Sequence, residues 1–266
     1  MNSNTGTLDR LSQQQDQVDR YEGVAQYSRA QILAMWAAVA VPMGVLAWVV
    51  APWLKHHIGG RDPFVEALLL CFAVGLIWEL ALTLLLIRRE VGTLEPPRVR
   101  DALWLRQPRD PKTRRVGGRI WWWVPLFVVL SALANLLPLD PAGPQPRDLP
   151  RFIDTDRAER FFHANWAWFG MLVLVVLLSP IVEELFFRGL LLPRMRGVFG
   201  RRDWVANGVL FAVHHMQQPW SIPNSTIDGV FAQAYPTRRF QSAWMGLIPH
   251  TVPSLFIIGF VLTLVL

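Results

Sequence analysis

The sequence has little of what a soluble enzyme normally contains. Only 17% of its 266 residues are charged and 52% are hydrophobic, which fits several membrane spans better than a soluble domain. The single cysteine, Cys71, excludes an intrachain disulfide, and with no second thiol or nearby histidine it is predicted to be a packing residue. There is no Gly-x-Ser-x-Gly elbow and no glycine-rich phosphate loop. Serine-nucleophile and nucleotide-hydrolysing enzymes are therefore disfavoured.

The net charge of +6 comes from arginines that cluster between apolar segments. Residues 88–119 hold ten Lys or Arg against four acids, and a second basic turn carries Arg194, Arg196, Arg201 and Arg202. The positive-inside rule places both turns in the cytoplasm. This pattern predicts a basic cytoplasmic loop at 88–119 that rests on the lipid bilayer, and it argues against a nucleic-acid partner.

Apolar segments divide the chain into three parts. We expect residues 1–30 to form a flexible cytoplasmic tail, residues 31–139 to hold three accessory transmembrane helices, and residues 166–266 to form a core. Within the core, residues 204–216 predict a short span, and residues 217–237, with three prolines, predict a broken one. The predicted fold is an all-α transmembrane bundle of about six to seven spans.

One span carries two adjacent carboxylates and an arginine at membrane depth, where ionisable groups are costly and a functional site is the default hypothesis. Residues four apart share a helix face, so Glu184 pairs with Arg188 and leaves Glu183 without a partner in its own helix. The alternative is a structural ion pair beside a pore-lining carboxylate. A second intramembrane carboxylate, Glu79, is expected to have a structural pairing.

Two histidines are predicted to lie at the depth of Glu183. At about 1.5 Å per residue from the basic ends of their helices, Glu183 lies roughly 14 Å deep, His215 about 16 Å and His250 roughly 13 Å. The last value requires residues 217–237 to cross back through the membrane. A carboxylate and an imidazole that share one water can activate it for hydrolysis. Ser254, four residues after His250, shares its face and could support an oxyanion.

The same side chains also suit a metal. Glu183, His215 and His250 together make a hydrolytic zinc set. These histidines come from separate helices, however, and the sequence has no His-Glu-x-x-His element to fix two ligands. We therefore expect no cofactor and keep zinc as the alternative. The adjacent His214 points to another face and is expected to have a hydrogen-bonded structural role.

Three motifs resemble those of the CPBP family, which includes the type II CAAX prenyl endopeptidases and bacteriocin-processing enzymes. They are Glu183-Glu184-x-x-x-Arg188, Phe211-x-x-x-His215 and His250-x-x-x-Ser254, within about residues 166–260. The resemblance implies a metal-free intramembrane glutamate endopeptidase. It further implies that Glu183 and His215 activate water and that His250 serves the oxyanion, with Glu184, Arg188 and Phe211 in support. The third motif usually ends in Asn or Asp, where this chain has Ser254.

These observations predict a multi-pass membrane protease. Its substrate would be a prenylated or membrane-anchored protein or peptide tail, cleaved near the cytoplasmic half of the bilayer. One alternative is a catalytically inactive scaffold or immunity protein with the same fold. A second is a proton-coupled transporter, because carboxylates and histidines at membrane depth also form relays. The sequence shows no internal repeat of the kind many carriers have.

Overall fold

The computed structural model describes residues 24–113, 115–144 and 146–266. These residues form helices and connecting loops, with one isolated bridge between Arg109 and Val116. The predicted all-α fold is confirmed. Most of the tail predicted at residues 1–30, namely residues 1–23, lies outside the described residues.

Seven helices form the bundle. In chain order they are α1 (Arg29–Leu54), α2 (Pro63–Val91), α3 (Gly118–Leu136), α4 (Trp166–Arg194), α5 (Asp203–His214), α6 (residues 222–240) and α7 (Trp244–Val265). Five of them, α1 to α4 and α7, are long and apolar enough to cross a membrane. With α5 and α6 packed among them, they make up the predicted bundle of an integral membrane protein.

Polar caps set the ends of the first two helices. Before α1, the Ser28 hydroxyl accepts from the Gln31 backbone N–H, and the Gln31 side chain accepts from the Ser28 N–H. Before α2, the Asp62 carboxylate accepts from the Val65 N–H. These bonds satisfy backbone donors that a helix leaves free at its start. Both helices therefore start at positions that the sequence specifies locally.

The bundle has two faces. At the basic face, defined by Arg194, Arg202 and Arg239, the loop after α2 meets the end of α6, where the Arg109 N–H donates to the carbonyl of Phe240 over 2.9 Å. At the opposite face, the amide of Asn224 at the start of α6 donates to the carbonyl of Leu137, just beyond α3, over 2.8 Å. Because α6 runs from one face to the other, residues 217–237 do lead back across the bundle.

Helices α5 and α6 approach each other backbone to backbone. A Cβ at Gly208 of α5 would lie 2.6 Å from the Cα and 2.7 Å from the backbone nitrogen of Val230 in α6. Such distances exclude any side chain at this position without a backbone shift. The glycine therefore allows the close packing that brings α6 beside the polar residues of α4 and α5.

The segment predicted as a basic loop is more ordered than its proline content suggests. Its first residues continue α2 to Val91, and Pro96–Ala102 forms a short helix. Leu103 and Trp104 are buried, and the carbonyl of Trp104 accepts from the Ala243 N–H just before α7. The apolar pair therefore anchors this basic segment to the helices of the core.

Candidate active site

Glu183 lies on α4 immediately before a stretch of π-helix, Leu185–Leu191. Its side chain is buried, and Oε1 accepts a hydrogen bond of 2.7 Å from the hydroxyl of Ser179, one turn earlier. The expectation that Glu183 has no partner in its own helix is therefore wrong. The second oxygen, Oε2, has no hydrogen-bond partner among the described residues. One oxygen is thus held in place while the other stays available.

Glu184 and Arg188 form the predicted pair. Oε1 of Glu184 lies 3.2 Å from Nη1 of Arg188, and both side chains are almost fully buried. The guanidinium also donates to the carbonyl of Gly229, at 3.3 Å, and to the side-chain oxygen of Gln233 on α6. Buried charges require such pairing and hydrogen bonding. The arginine therefore joins α4 to α6 behind Glu183.

His250 of α7 lies between the two glutamates. Its Nδ1 is 3.1 Å from Oε1 of Glu184, and its Nε2 is 3.8 Å from Oε2 of Glu183. A carboxylate accepts hydrogen bonds and donates none when ionised, so Nδ1 is the donor to Glu184. This bond orients the ring and directs Nε2 toward the free oxygen of Glu183.

His215 follows the last residue of α5. Its Nδ1 lies 3.0 Å from the carbonyl oxygen of Phe211, an atom that can only accept. A neutral ring bound in this way carries its proton on Nδ1 and leaves Nε2 free to accept a proton. The backbone therefore selects the tautomer that a general base needs.

Phe211 holds the polar residues of three helices together. The Arg188 guanidinium lies 4.0 Å from the centre of its ring, and the rings of His215 and His250 meet it edge-on at 4.8 Å and 5.5 Å. A cation over an aromatic face and edge-to-face ring pairs are both attractive arrangements. The aromatic ring predicted to support the site therefore contacts both histidines and the arginine.

The predicted catalytic residues share one cavity of about 180 Å³. Glu183, His215, His250 and Ser254 all contribute to its wall, and apolar side chains of α1, α2 and α4 supply most of the remainder. Within residues 24–113, 115–144 and 146–266, no group of three or more His, Cys, Asp or Glu side chains is arranged to hold a metal ion. The cavity thus combines a few convergent polar groups with apolar walls, as ligand sites usually do.

Glu79 and His214 form a separate buried pair. Oε2 of Glu79 lies 3.7 Å from Nε2 of His214, which fits the structural pairing expected for Glu79. Neither ring nitrogen of His214 has a hydrogen-bond partner in the described part of the chain, so this histidine differs from the hydrogen-bonded one expected. Its ring instead packs 5.3 Å from that of Phe187.

Three residues that contribute to the site lie outside the sequence motifs. Ser179 had a detectable signal, because it precedes Glu183 by four residues on a helix. Gln233 and Gly246 had none, since their roles depend on how the helices pack. A Cβ at Gly246 would lie 2.6 Å from Oε2 of Glu184, so only glycine lets α7 approach the Glu184 carboxylate this closely.

The region that builds this site also matches a known family. Residues 165–265 match the family model described as "Type II CAAX prenyl endopeptidase Rce1-like". We call these 101 of the 266 residues the CAAX endopeptidase region. The CAAX endopeptidase region runs from the start of α4 to the end of α7 and includes all three motifs, so the resemblance to the CPBP family is confirmed. No curated protein and no solved structure matches the chain.

The polar residues that line the cavity all belong to the CAAX endopeptidase region, whereas α1 and α2 add apolar wall. Met43, Phe72 and Leu76 line the cavity from outside the matched residues. The family match suggests a CAAX-type membrane protease. The accessory helices therefore complete the cavity without contributing to its motifs.

Proposed function

We propose that the protein is an intramembrane endopeptidase in which Glu183 and His215 activate the attacking water. Its substrate would be a prenylated or otherwise membrane-anchored protein or peptide tail. The observation that carries this proposal is the convergence of Glu183, His215, His250 and Ser254 on one cavity of about 180 Å³. The match of residues 165–265 to a CAAX endopeptidase family supports peptide-bond cleavage as the reaction.

The first step is removal of a proton from water. Oε2 of Glu183 and Nε2 of His215 are free to accept a proton, because Ser179 holds the other carboxylate oxygen and Phe211 holds the other ring nitrogen. A water bound between them loses a proton to this pair, and the resulting hydroxide attacks the scissile carbonyl carbon. Because Glu183 is buried, bulk water does not solvate its carboxylate.

The second step is stabilisation of the tetrahedral oxyanion. The two ring nitrogens of His250 face the carboxylates of Glu184 and Glu183, so an imidazolium with a proton on each nitrogen fits this position. Nε2–H of that ring then donates to the oxyanion. When the intermediate collapses, the C–N bond breaks and the leaving amine takes the proton that the water gave up. Carboxylic acid and free amine leave the site.

Ser254 gives the oxyanion a second donor. It lies one turn after His250 on α7 and lines the same cavity. The serine side chain is shorter than the asparagine or aspartate side chain that usually ends this motif. We therefore expect a weaker contribution to rate from this position, with His250 as the principal donor.

The basic face is the cytoplasmic one in this proposal, following the positive-inside rule. Tyr27, before α1, lies at that face because its N–H donates to the carbonyl of Arg194, and this contact supports a cytoplasmic position for the start of α1. Along α4, Glu183 is nearer to Arg194 than to Trp166. The bond is then cut in the cytoplasmic half of the bilayer.

Cleavage of peptide libraries by the purified, detergent-solubilised protein tests this function. The libraries contain prenylated peptides and membrane-protein tails, and wild type is compared with Glu183→Gln and His215→Ala, with and without a chelator. Glu79→Gln is the matched control, because Glu79 is also a buried carboxylate at membrane depth but does not line the cavity. We expect cleavage by wild type and by Glu79→Gln, none by the other two variants, and no effect of the chelator.

Three other outcomes of this experiment would each lead to a different conclusion. Wild-type rates in a folded Glu183→Gln or His215→Ala variant would contradict the proposed roles. Loss of cleavage with chelator would indicate a zinc ion held by Glu183, His215 and His250. If the wild type cleaves no peptide, the protein is better described as a scaffold or immunity protein.

A further inference from the structure

A second, larger cavity adjoins the active-site cavity. It has a volume of about 520 Å³ and shares His215, His250 and Ser254 with the smaller cavity as lining residues. Polar and apolar residues both line the rest of its wall, and the polar ones include Asn135, Asp140, Asp148, Asn224, Ser225 and Asp228. We call this space the polar vestibule.

The polar vestibule lies near the face of the bundle that is opposite the basic face. Asp140 follows α3, and its carboxylate accepts from the Asn224 N–H at the start of α6. Arg151, which is exposed, donates to the carbonyls of Asp140 and Pro141 at the rim. These loops join helix ends that are remote from Arg194, so the vestibule opens away from the basic loops.

The shortness of α5 explains why this space exists. The helix has 12 residues and therefore extends roughly 18 Å, whereas a bilayer core is about 30 Å thick. It starts at the basic face and ends at His214, so no helical turn of this segment continues toward the opposite face. The chain instead turns through residues 215–221, and Gln218, Trp220 and Ser221 line the vestibule there.

The basic face of the site is closely packed. Phe186, Phe187, Leu190 and Leu191, all on the π-helical stretch of α4, have no exposed surface. A Cβ at Gly189 would lie only 2.9 Å from the carbonyl oxygen of Leu103, so the basic loop packs directly on this layer. A polar peptide segment would have to displace this apolar layer to reach Glu183 from the basic face, at a high free-energy cost.

We propose that water and the polar part of the substrate reach the active site from the face opposite the basic loops, through the polar vestibule. The proposal rests on the proposed function for the reaction itself, but the route of access stands on the two cavities and the packed layer. Under the positive-inside rule this face is non-cytoplasmic. The substrate is then a membrane-anchored polypeptide whose polar segment lies on the non-cytoplasmic side, although the cleaved bond lies deeper, and this favours a membrane-protein tail over a prenylated one.

Thiol labelling in sealed vesicles tests the route of access. The only cysteine is removed by Cys71→Ala, and single cysteines are then introduced by Ser225→Cys in the vestibule, Ser254→Cys at the site and Arg202→Cys at the basic face. Inside-out and right-side-out vesicles receive a small, membrane-impermeant thiol reagent. We expect Ser225→Cys and Ser254→Cys to react from one face and Arg202→Cys from the other. Labelling in denaturant verifies that each thiol is present and reactive.

The outcomes separate this proposal from the proposed function. Reaction of Ser254→Cys from the Arg202 face, or from neither face while Ser225→Cys reacts, would overturn the route even if the protein cleaves peptides. The expected labelling pattern in a protein that cleaves nothing would support the route and leave the protease proposal as the one that failed. The comparison of two faces within one protein does not depend on which face is cytoplasmic.

Discussion

Nδ1 of His250 lies 3.1 Å from Oε1 of Glu184, so the second glutamate of the pair holds the histidine of the last helix. The same carboxylate oxygen faces the buried Arg188 at 3.2 Å. One acidic group therefore compensates a buried cation and also fixes the ring that faces Glu183. Glu184 therefore both stabilises the fold and positions His250, because its loss would release both Arg188 and His250.

Replacing Glu184 with glutamine tests the stabilising part of this role. Glu184→Gln keeps the size of the side chain but removes the carboxylate that forms an ion pair with Arg188. Breaking a buried pair in this way costs about 3–5 kcal/mol, so we expect a clearly lower thermal unfolding temperature in detergent. Glu95→Gln is the control, because Glu95 pairs with Arg98 at the surface and should change little. Equal shifts in the two variants would contradict the assigned role.

The hydroxyl of Ser179 is expected to position Glu183. Ser179→Ala removes the 2.7 Å hydrogen bond to Oε1, and a hydrogen bond to a charged group contributes about 1.5–3 kcal/mol. Cleavage should fall about 10- to 100-fold, while Ser179→Thr, which keeps the hydroxyl, should restore it. Thr83→Ala is the matched control, since it removes a buried hydroxyl bound to a backbone carbonyl of α2. Undiminished cleavage in Ser179→Ala would refute this assignment.

Gly246 is expected to set the distance between α7 and α4. In Gly246→Ala the new methyl group would lie 2.6 Å from Oε2 of Glu184 and 2.7 Å from Oγ1 of Thr237, so either the Glu184 carboxylate or α7 must shift, and either shift disturbs the contact between Glu184 and His250. Overpacking of this kind costs about 1–3 kcal/mol. We expect lower thermal stability and weaker cleavage, whereas Gly259→Ala on the same helix, with open space around it, should behave like wild type. Identical behaviour of the two variants would argue against this role.

Depth along the helices could be predicted from the sequence, but rotation about their axes could not. Counting residues from the basic ends placed Glu183, His215 and His250 at one level, and all three line one cavity. The hydrogen bond between His250 and Glu184 depends instead on how α7 is turned against α4. No periodicity within either segment specifies that angle.

Arg194 shows how a sequence pattern can hide a second role. In the sequence it is one of four arginines in a basic turn, which the positive-inside rule explains as a cytoplasmic charge. In the structure it is fully buried, and its guanidinium binds Glu90 at 2.7 Å and the carbonyl of Leu190 at 2.7 Å. An arginine that sets membrane topology and a buried structural arginine look the same in the sequence, because only contacts with distant segments distinguish them.

Arg194 is predicted to require the shape of arginine as well as its charge. Its Nε and Nη2 atoms both donate to the Glu90 carboxylate, and a lysine cannot form this fork. Tyr27 also contacts this ion pair, because its hydroxyl donates to Glu90 over 2.8 Å. Burial raises the pKa of this phenol well above its usual range. The phenol therefore keeps its proton and remains a donor at neutral pH.

Arg194→Lys tests this network. Each lost charged hydrogen bond costs roughly 1.5–3 kcal/mol, so we expect a lower thermal unfolding temperature although the charge is conserved. Arg89→Lys, an exposed substitution at the end of α2, serves as the control and should unfold at the wild-type temperature. If Arg194 served only as a cytoplasmic charge, both variants would have wild-type stability, because lysine satisfies the positive-inside rule equally well. A stability loss confined to Arg194→Lys would therefore separate the structural role from the topological one.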